Sequence, residues 1–396
     1  MTTVLVTGAT GRVGRHVVEG LRAAGVTVRA LVRTPDLAGL PTDVELVRGD
    51  LYDADAVRRA AADVDAAFLL WPSFDASGAA AVVGQLPRRV VYLSSLNASD
   101  GGVWGEVEEL LRNAGKEWTF VRPGGFAVNA QAWAREFREG DVVRLPYPEA
   151  GRSLIHERDI AAVAVLALLD DRHVGQSYEL TGPEVLTQAE QVETIALAVG
   201  KQLRIEGLTG ADARQAMLDQ GAPPAIADSA VSYWSTLVDN PEPVTNTVVQ
   251  LTGRPALTFA AWAEEHADEF CVLTTAEVAD RYVNALSTGR LDQALALSAP
   301  EVVRVAPLET GGEEIEVKGV DAILENARRL NADVEYLAVQ LVGPLLLDDR
   351  FAVRFSFDQL NVRTGIRSRT TKLSLCTVQS GQITREEVFY YTPVHS

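Results

Sequence analysis

A chain of 396 residues exceeds what one hydrophobic core usually serves and is expected to divide into two domains. Its 47% hydrophobic and 23% charged residues suit a soluble globular protein, while a formal net charge of −18 without any basic run excludes a nucleic-acid partner. Cys271 and Cys376 read as small buried hydrophobes in a reducing compartment, and with no leader-like start and an apolar stretch at 160–169 too short for a bilayer, a cytoplasmic protein without a membrane partner is expected.

The first half alternates strand and helix patterns. Apolar runs fall at 4–6, 26–32, 44–47, 66–70, 90–93 and 119–121, and amphipathic or Ala-rich helical windows fall at 12–24, 54–61, 76–85 and 105–114. Such alternation predicts an α/β, doubly wound parallel sheet with helices on both faces. The first strand runs into Thr7-Gly8-Ala9-Thr10-Gly11-Arg12-Val13-Gly14, with Val13, Val17, Val18 and Leu21 following at helical spacing. Glycines there allow close backbone approach, and the helix N-terminus offers free N–H groups and a favourable dipole to a pyrophosphate. Strand, glycine turn, helix and second strand together read as a Rossmann-type dinucleotide unit. Arg33 follows the second strand, where an arginine suits the 2′-phosphate of NADP; Arg12 is placed to join it. Asp50-Leu51, after the third strand, is placed to meet an adenine edge.

Beyond Pro123 the pattern loosens. Helical stretches are expected at 127–138, 159–169, 189–198 and 211–220, forming a lid over the cofactor cleft. Phe126, Trp133, Tyr147 and Trp234 are candidates to line a pocket for a flat, aromatic substrate. From about residue 275 the character changes: helical windows at 276–287 and 292–297 precede β-branched and aromatic strands at 302–306, 336–342, 351–357, 369–378 and 383–391, indicating a separate α+β domain. The domains are expected at 1–270 and 275–396. The five histidines are dispersed without paired Cys/His spacing or an H-E-x-x-H motif, so no metal site is expected.

Residues 1–270 resemble the NmrA-like branch of the atypical short-chain dehydrogenase/reductases. The resemblance rests on residues 7–14, Leu31-Val32-Arg33, Arg48-Gly49-Asp50-Leu51, Tyr92-Leu93-Ser94-Ser95, Arg122-Pro123-Gly124-Gly125-Phe126, His156-Glu157-Arg158-Asp159-Ile160 and Leu180-Thr181-Gly182-Pro183-Glu184. It implies a bound NADPH or NADH, and NADPH is the expectation once Arg33 is counted. The expected cofactor contacts are Gly8, Thr10, Gly11, Arg12, Val13, Arg33, Asp50, Leu51, Trp71, Ser94 and Pro123. Short-chain dehydrogenases use a Tyr/Lys pair for proton transfer to a carbonyl. Residues 103–109 hold no tyrosine, lysine or histidine, so alcohol oxidation is disfavoured. A quinone is a strong hydride acceptor, and water or Ser95 would suffice as proton source.

Residues from about 275 to 393 resemble the SnoaL-like members of the nuclear transport factor two-like superfamily, through Tyr282, Gly289-Arg290-Leu291-Asp292, Gly319-Val320-Asp321-Ala322-Ile323, Phe355-Ser356-Phe357-Asp358 and the stretch from Gly381 to Glu387. The resemblance implies helices packed across a curved sheet to form a cone-shaped pocket, commonly in a homodimer. Asp358 and Glu387 are the candidate general bases there, with Lys372, Arg354 or Arg363 as oxyanion partners. Cyclases of this type use a His/Asp pair, and the only histidine in this part is His395.

The fusion suggests an NADPH-dependent quinone reductase whose dihydroquinone product, from an anthraquinone-like polyketide, is hydroxylated by O2 in the second domain. Two alternatives stay open: a reductase whose second domain cyclises, isomerises or only binds, and a non-enzymatic nucleotide-sensing regulator.

Overall fold

The computed structural model describes residues 2–35, 38–219, 221–307, 314–330 and 332–391. They fall into two compact units, Met1–Cys271 and Val272–Ser396.

In the first unit, strands β1 (Thr3–Thr7), β2 (Thr27–Val32), β3 (Glu45–Arg48), β4 (Ala66–Leu70), β5 (Arg89–Leu93) and β6 (Glu117–Pro123) alternate with helices α1 (Arg12–Ala23), α2 (Ala54–Ala60), α3 (Ala79–Gln85) and α4 (Val103–Asn113). There follow α5 (Ala134–Glu139), β7 (Val142–Pro146), β8 (Gly151–Arg152), α6 (Glu157–Leu169) and β9 (Gln176–Leu180). The main sheet is parallel, in the order β3-β2-β1-β4-β5-β6-β9, and its strand order reverses between β1 and β4. In such sheets ligands bind beyond the carboxyl ends of the strands at this switch point. The sequence pattern foresaw six of these strands. It missed β9, an edge strand whose five residues bury only Leu180 fully and so show no apolar run.

Two cores flank the sheet. On one face α1 buries Val13, Val17, Val18 and Leu21, at helical spacing, against the same cluster as Ile160, Val163 and Ala164 of α6. The two helices meet at Gly20, where a Cβ would fall 2.9 Å from Val165 Cγ2. On the other face α2, α3 and α4 pack over Leu5, Leu69, Tyr92 and Phe120. The remainder of the unit comprises β10 (Leu186–Thr187), α7 (Gln188–Ala198), β11 (Arg204–Leu208), α8 (Gly210–Asp219), α9 (Pro224–Thr236), α10 (Thr247–Thr252), α11 (Phe259–Glu265) and α12 (Ala267–Phe270). Part of it builds a third core around Phe137, Val143, Ile195, Phe259, Trp262 and Phe270.

The second unit opens with α13 (Thr275–Ser287) and α14 (Leu291–Leu295), then β12 (Ser298–Pro307), β13 (Glu314–Lys318), α15 (Val320–Leu330), β14 (Val334–Leu347), β15 (Arg350–Asn361), β16 (Arg367–Gln379) and β17 (Gln382–Tyr391). The strands form one mixed sheet, ordered β13-β12-β17-β16-β15-β14, in which only the β12–β17 pairing is parallel. β13 and α15 were not foreseen. β13 alternates charged with apolar residues over only five positions, and α15 is a short amphipathic helix in which Ile323 is the buried position among the described residues. Phe351, Val353 and Phe355, alternate residues of β15, share one face with Cys376 and Val378 and meet Val278 and Ala279 of α13. His395, the one histidine of this part, lies outside the described residues.

Phe351 is fully buried and its ring lies edge-on to Tyr282 at 5.6 Å, so its removal leaves a cavity where helix meets sheet. Phe351→Ala is expected to destabilise the second unit by about 3–5 kcal/mol in urea unfolding. Phe389→Ala, at a half-exposed ring, is expected to cost about 0.5 kcal/mol or less. Equal effects from the two would contradict the assignment of Phe351 to the core.

Candidate functional site

The turn after β1 is built around backbone approach. Gly8 has φ +63°, a left-handed conformation that favours glycine, and its carbonyl accepts from Gly11 N at 2.9 Å. A Cβ on Gly14 would lie 2.0 Å from Gly8 O, so α1 can seat against the strand end only with glycine there. Thr7 Oγ1 donates to Phe68 O and accepts from Leu70 N, tying β1 to β4 at the switch point. Gly11, the N-cap of α1, provides no side-chain cap, which leaves the first-turn N–H groups without a side-chain partner. This geometry fits a pyrophosphate. Arg12 is exposed on the first turn, and the side chain of Thr10 is exposed beside it, while Val13 is buried. Arg15, which the sequence reading passed over, braces the loop by donating to Thr10 O, Gly39 O and Ala38 O.

Arg33 is exposed at the carboxyl end of β2. After β3, Gly49 lies so close to α2 that a Cβ would stand 2.6 Å from that of Ala56. Asp50 Oδ1 accepts from Tyr52 N, and Leu51 packs on the α2–α4 side core. Trp71, just past β4, is buried, donates from Nε1 to Asp75 O and meets the Tyr52 ring edge-on at 5.4 Å. Pro123 closes β6 and is buried.

Ser94 and Ser95 have different surroundings. Ser94 is buried and its hydroxyl donates to Glu108 Oε1 at 2.7 Å. Glu108, from α4, also accepts from Arg122 Nε and Nη2 and from Arg112 Nη2. The Ser94 hydroxyl is therefore engaged in holding β5, β6 and α4 together. Ser95 is half-buried and caps the 3₁₀ turn Leu96–Asp100 by accepting from Asn97 N.

The four candidate aromatics have separate surroundings. Phe126 bridges to Ile155 and packs on the first and third cores, and Trp133 packs on the third. Tyr147 has φ +49° and crowds Gly210, where a Cβ would fall 2.8 Å from the hydroxyl. Trp234 is half-buried on α9.

A polar cluster that the sequence did not signal lies beside the 3₁₀ turn. Tyr233 Oη donates to Glu242 Oε1 at 2.7 Å and also has a side-chain hydrogen bond with Asn97. Arg152 donates twice to the same carboxylate oxygen, and Ser153 N donates to the other. The Arg152 guanidinium lies so near Gly125 that a Cβ there would fall 2.3 Å from Nη2, which accounts for the second glycine of 122–126. Burial, reinforced by the Glu242 charge, raises the Tyr233 phenol well above its ordinary range. It is thus a protonated hydrogen-bond donor at neutral pH. The motif at 156–160 is structural: Glu157 accepts from Val128 N, and the buried Asp159 accepts from Leu257 N.

In the second unit a cavity of about 440 Å³ is lined by one face of β12, β15, β16 and β17, including Arg304, Phe357, Thr370, Lys372, Val388 and Tyr390. Lys372 therefore faces the interior. Asp358 and Glu387 do not, which corrects two sequence expectations. Side chains alternate along a strand, so Asp358 falls on the face opposite Phe355 and Phe357, where Arg367 donates to it and holds its carboxyl below the usual range. Glu387 stands 3.7 Å from Arg385 on the face opposite its neighbour Glu386. The interior carboxylate is Glu386. It accepts from Arg304 Nε and Nη2 at 2.8 and 2.6 Å and from Ser374 Oγ at 2.8 Å. Burial pushes its carboxyl up, but Arg304, Lys372 and these hydrogen bonds outweigh it and leave it below the ordinary value. Arg354 is exposed, and Arg363 pairs with Asp333 at 2.9 Å. Among the described residues no group of His, Cys, Asp and Glu could hold a metal ion, and no helix is long and apolar enough to cross a membrane.

Residues 8–171 match the model of an NAD(P)H-binding family, and residues 279–386 that of a SnoaL-like domain. The chain is 38% identical over 281 residues, 67% of its own length and 99% of the relative's, to a (4-alkanoyl-5-oxo-2,5-dihydrofuran-3-yl)methyl phosphate reductase of Streptomyces griseus subsp. griseus. It is 34% identical over 282 residues, with the same coverage of 67% and 99%, to an NAD(P)H azoreductase of Xenophilus azovorans. Among solved structures, an NADPH-dependent quinone oxidoreductase of Escherichia coli complexed with NADPH superimposes with a TM-score of 0.58 at 23% identity, over 66% of this chain and 99% of that one, a likeness of fold.

Glu108→Ala would leave the half-buried Arg122 without its carboxylate partner and the Ser94 hydroxyl without its acceptor. The expected loss is about 3–5 kcal/mol in urea unfolding, against about 1 kcal/mol for Ser94→Ala. A Glu108→Ala protein as stable as the parent would show that the cluster does not hold the sheet to α4.

Proposed function

This chain belongs to the NAD(P)H-binding, NmrA-like reductases and carries a SnoaL-like domain behind them, and on that premise we propose that it reduces an aromatic, anthraquinone-like polyketide quinone with NADPH and hydroxylates the reduced product with O2 in the second domain. What supports the reading is the joining, in one chain, of an uncapped glycine cradle to a cone whose interior is cationic. NADPH, when bound, supplies the hydride. Backbone N–H groups from Arg12 to Gly14 would hold its pyrophosphate, with Gly11 shaping the turn, Arg33 and Arg12 its 2′-phosphate, and Asp50 and Leu51 its adenine edge. Relatives named as reductases of azo compounds and quinones are consistent with a flat, conjugated acceptor.

Lack of a Tyr/Lys pair matters little for a quinone, whose reduced oxygens are weakly basic. Near the 3₁₀ turn the Tyr233 hydroxyl donates to Glu242 and the Ser95 hydroxyl accepts from Asn97 N, which leaves the Ser95 proton, with water, for the protonation. In the cone, one oxygen atom of O2 forms the new C–O bond. The other leaves as water, the two reducing equivalents coming from NADPH.

Anaerobic mixing with NADPH and a panel of anthraquinones is expected to bleach the quinone, and admitting air to give a hydroxylated product by mass spectrometry. Bleaching with no hydroxylated product from any quinone would leave a reductase alone. NADPH binding without oxidation by any acceptor would overturn the proposal. Arg33→Glu is expected to weaken NADPH by about 1–3 kcal/mol while leaving NADH nearly unchanged, as read by fluorescence titration. Equal losses for the two nucleotides would remove Arg33 from the 2′-phosphate site.

A further inference from the structure

We infer that the cone of the second unit binds its ligand as an anion, an aromatic phenolate or enolate neutralised by Lys372 and Arg304. The aromatic character rests on the function proposed above; the charge rests on the cavity itself. Its volume of about 440 Å³ is that of a small-molecule site. Two cations and one carboxylate face it from the sheet. Glu386 is committed to Arg304, which donates to it twice, and to Ser374. Lys372 is left over the rings of Phe355 and Phe357, with Nζ 4.6 and 5.6 Å from their centroids. Those ring faces attract an ammonium but carry no negative charge to cancel it.

The remaining groups do not cancel it either. The Cys376 thiol on the same strand and the Tyr282 phenol on α13 are pushed up by burial and therefore neutral. Tyr336, Tyr390, Gln359 and Thr370 are neutral lining, and α15 adds Asn326 and Ala327. Burial pulls the Lys372 ammonium below its ordinary value and Glu386 draws it back up, so among the described residues two cationic side chains share one carboxylate within a chain of net charge −18. An uncompensated cation away from water is unfavourable, and a ligand that brings one negative charge relieves it. The parallel rings of Phe355 and Phe357, 6.0 Å apart, with Tyr336 at 5.2 Å from Phe357, offer a wall for a flat π-system. A hydroquinone monoanion meets both requirements and is the electron-rich form that O2 oxidises.

The test uses the full chain without NADPH, with 2-hydroxy-1,4-naphthoquinone as an ionisable, coloured probe and its 2-methoxy analogue as a neutral control. Across a pH series the absorbance of the bound hydroxy probe is expected to report ionisation lower than in free solution by about one pH unit, with binding about tenfold tighter than that of the methoxy compound. Lys372→Met is expected to abolish the shift and leave methoxy binding unchanged, and Lys372→Arg to retain it. Ionisation at the free-solution pH, equal binding of the two probes, or a shift that survives Lys372→Met would each overturn the inference. Equal displacement by acetate would overturn its aromatic part. If Lys372→Met does not fold, the two-probe comparison on the parent protein still decides. Because no turnover is involved, bound anion without quinone reduction would remove only the function proposed above.

Discussion

A Cβ at position 14 would stand 2.0 Å from the carbonyl oxygen of Gly8, and a side chain there would push α1 off the end of β1. Much of the first unit follows from that seat. With α1 in place, Val17, Val18 and Leu21 reach the sheet, and Gly20 allows α6 to pack directly on the helix. The same seat aims a helix start, uncapped by any side chain, at the switch point between β1 and β4. Thr7 and Arg15 then fix the loop from two sides. The cradle and the core are therefore one construction, and neither can be altered at Gly14 without the other.

Each unit also contains a buried serine–glutamate–arginine cluster with a second cation beside it, and the surroundings of that cation differ. In the first unit Ser94, Arg122 and Arg112 surround Glu108, with Arg112 partly exposed to solvent, so water screens the second cation. Such a cluster fixes geometry and leaves nothing for a ligand. In the second unit Ser374 and Arg304 satisfy Glu386, and Lys372 is a half-buried second cation over the rings of Phe355 and Phe357 in the cavity wall. The same three residue types thus give a strut in one place and a charged cavity in the other.

The parallel sheet and the glycine turn were legible because their signals are local: apolar runs of three to seven residues, helical spacing after Gly11, and glycines at a strand end. What escaped was set by partners distant in sequence. Glu108 reads as one charge on an amphipathic helix until β5 and β6 bring Ser94 and Arg122 to it. Tyr233 and Glu242 have no motif, and only folding joins them to Arg152 and Asn97. In the cone, alternation separated the two faces of β15, and the charged candidate was taken from the face that turned out to lie away from the apolar core. On β17 the misreading was a single position, Glu387 for Glu386, and period-two geometry makes one position a change of face.

That one-position difference bears on what chemistry the cone can perform. A general base in an apolar pocket needs a carboxylate with a raised pKa and a free lone pair aimed at substrate. Glu386 has neither: both oxygens accept hydrogen bonds from protein groups, and its carboxyl is held below the ordinary range. Asp358 and Glu387 sit on the other face with arginines of their own. The interior carboxylate is therefore poor at removing protons, and Arg304 and Lys372 beside it suit the interior to stabilising negative charge. Enolisation-driven cyclisation would need the first property. Binding an already acidic ligand as its anion needs only the second.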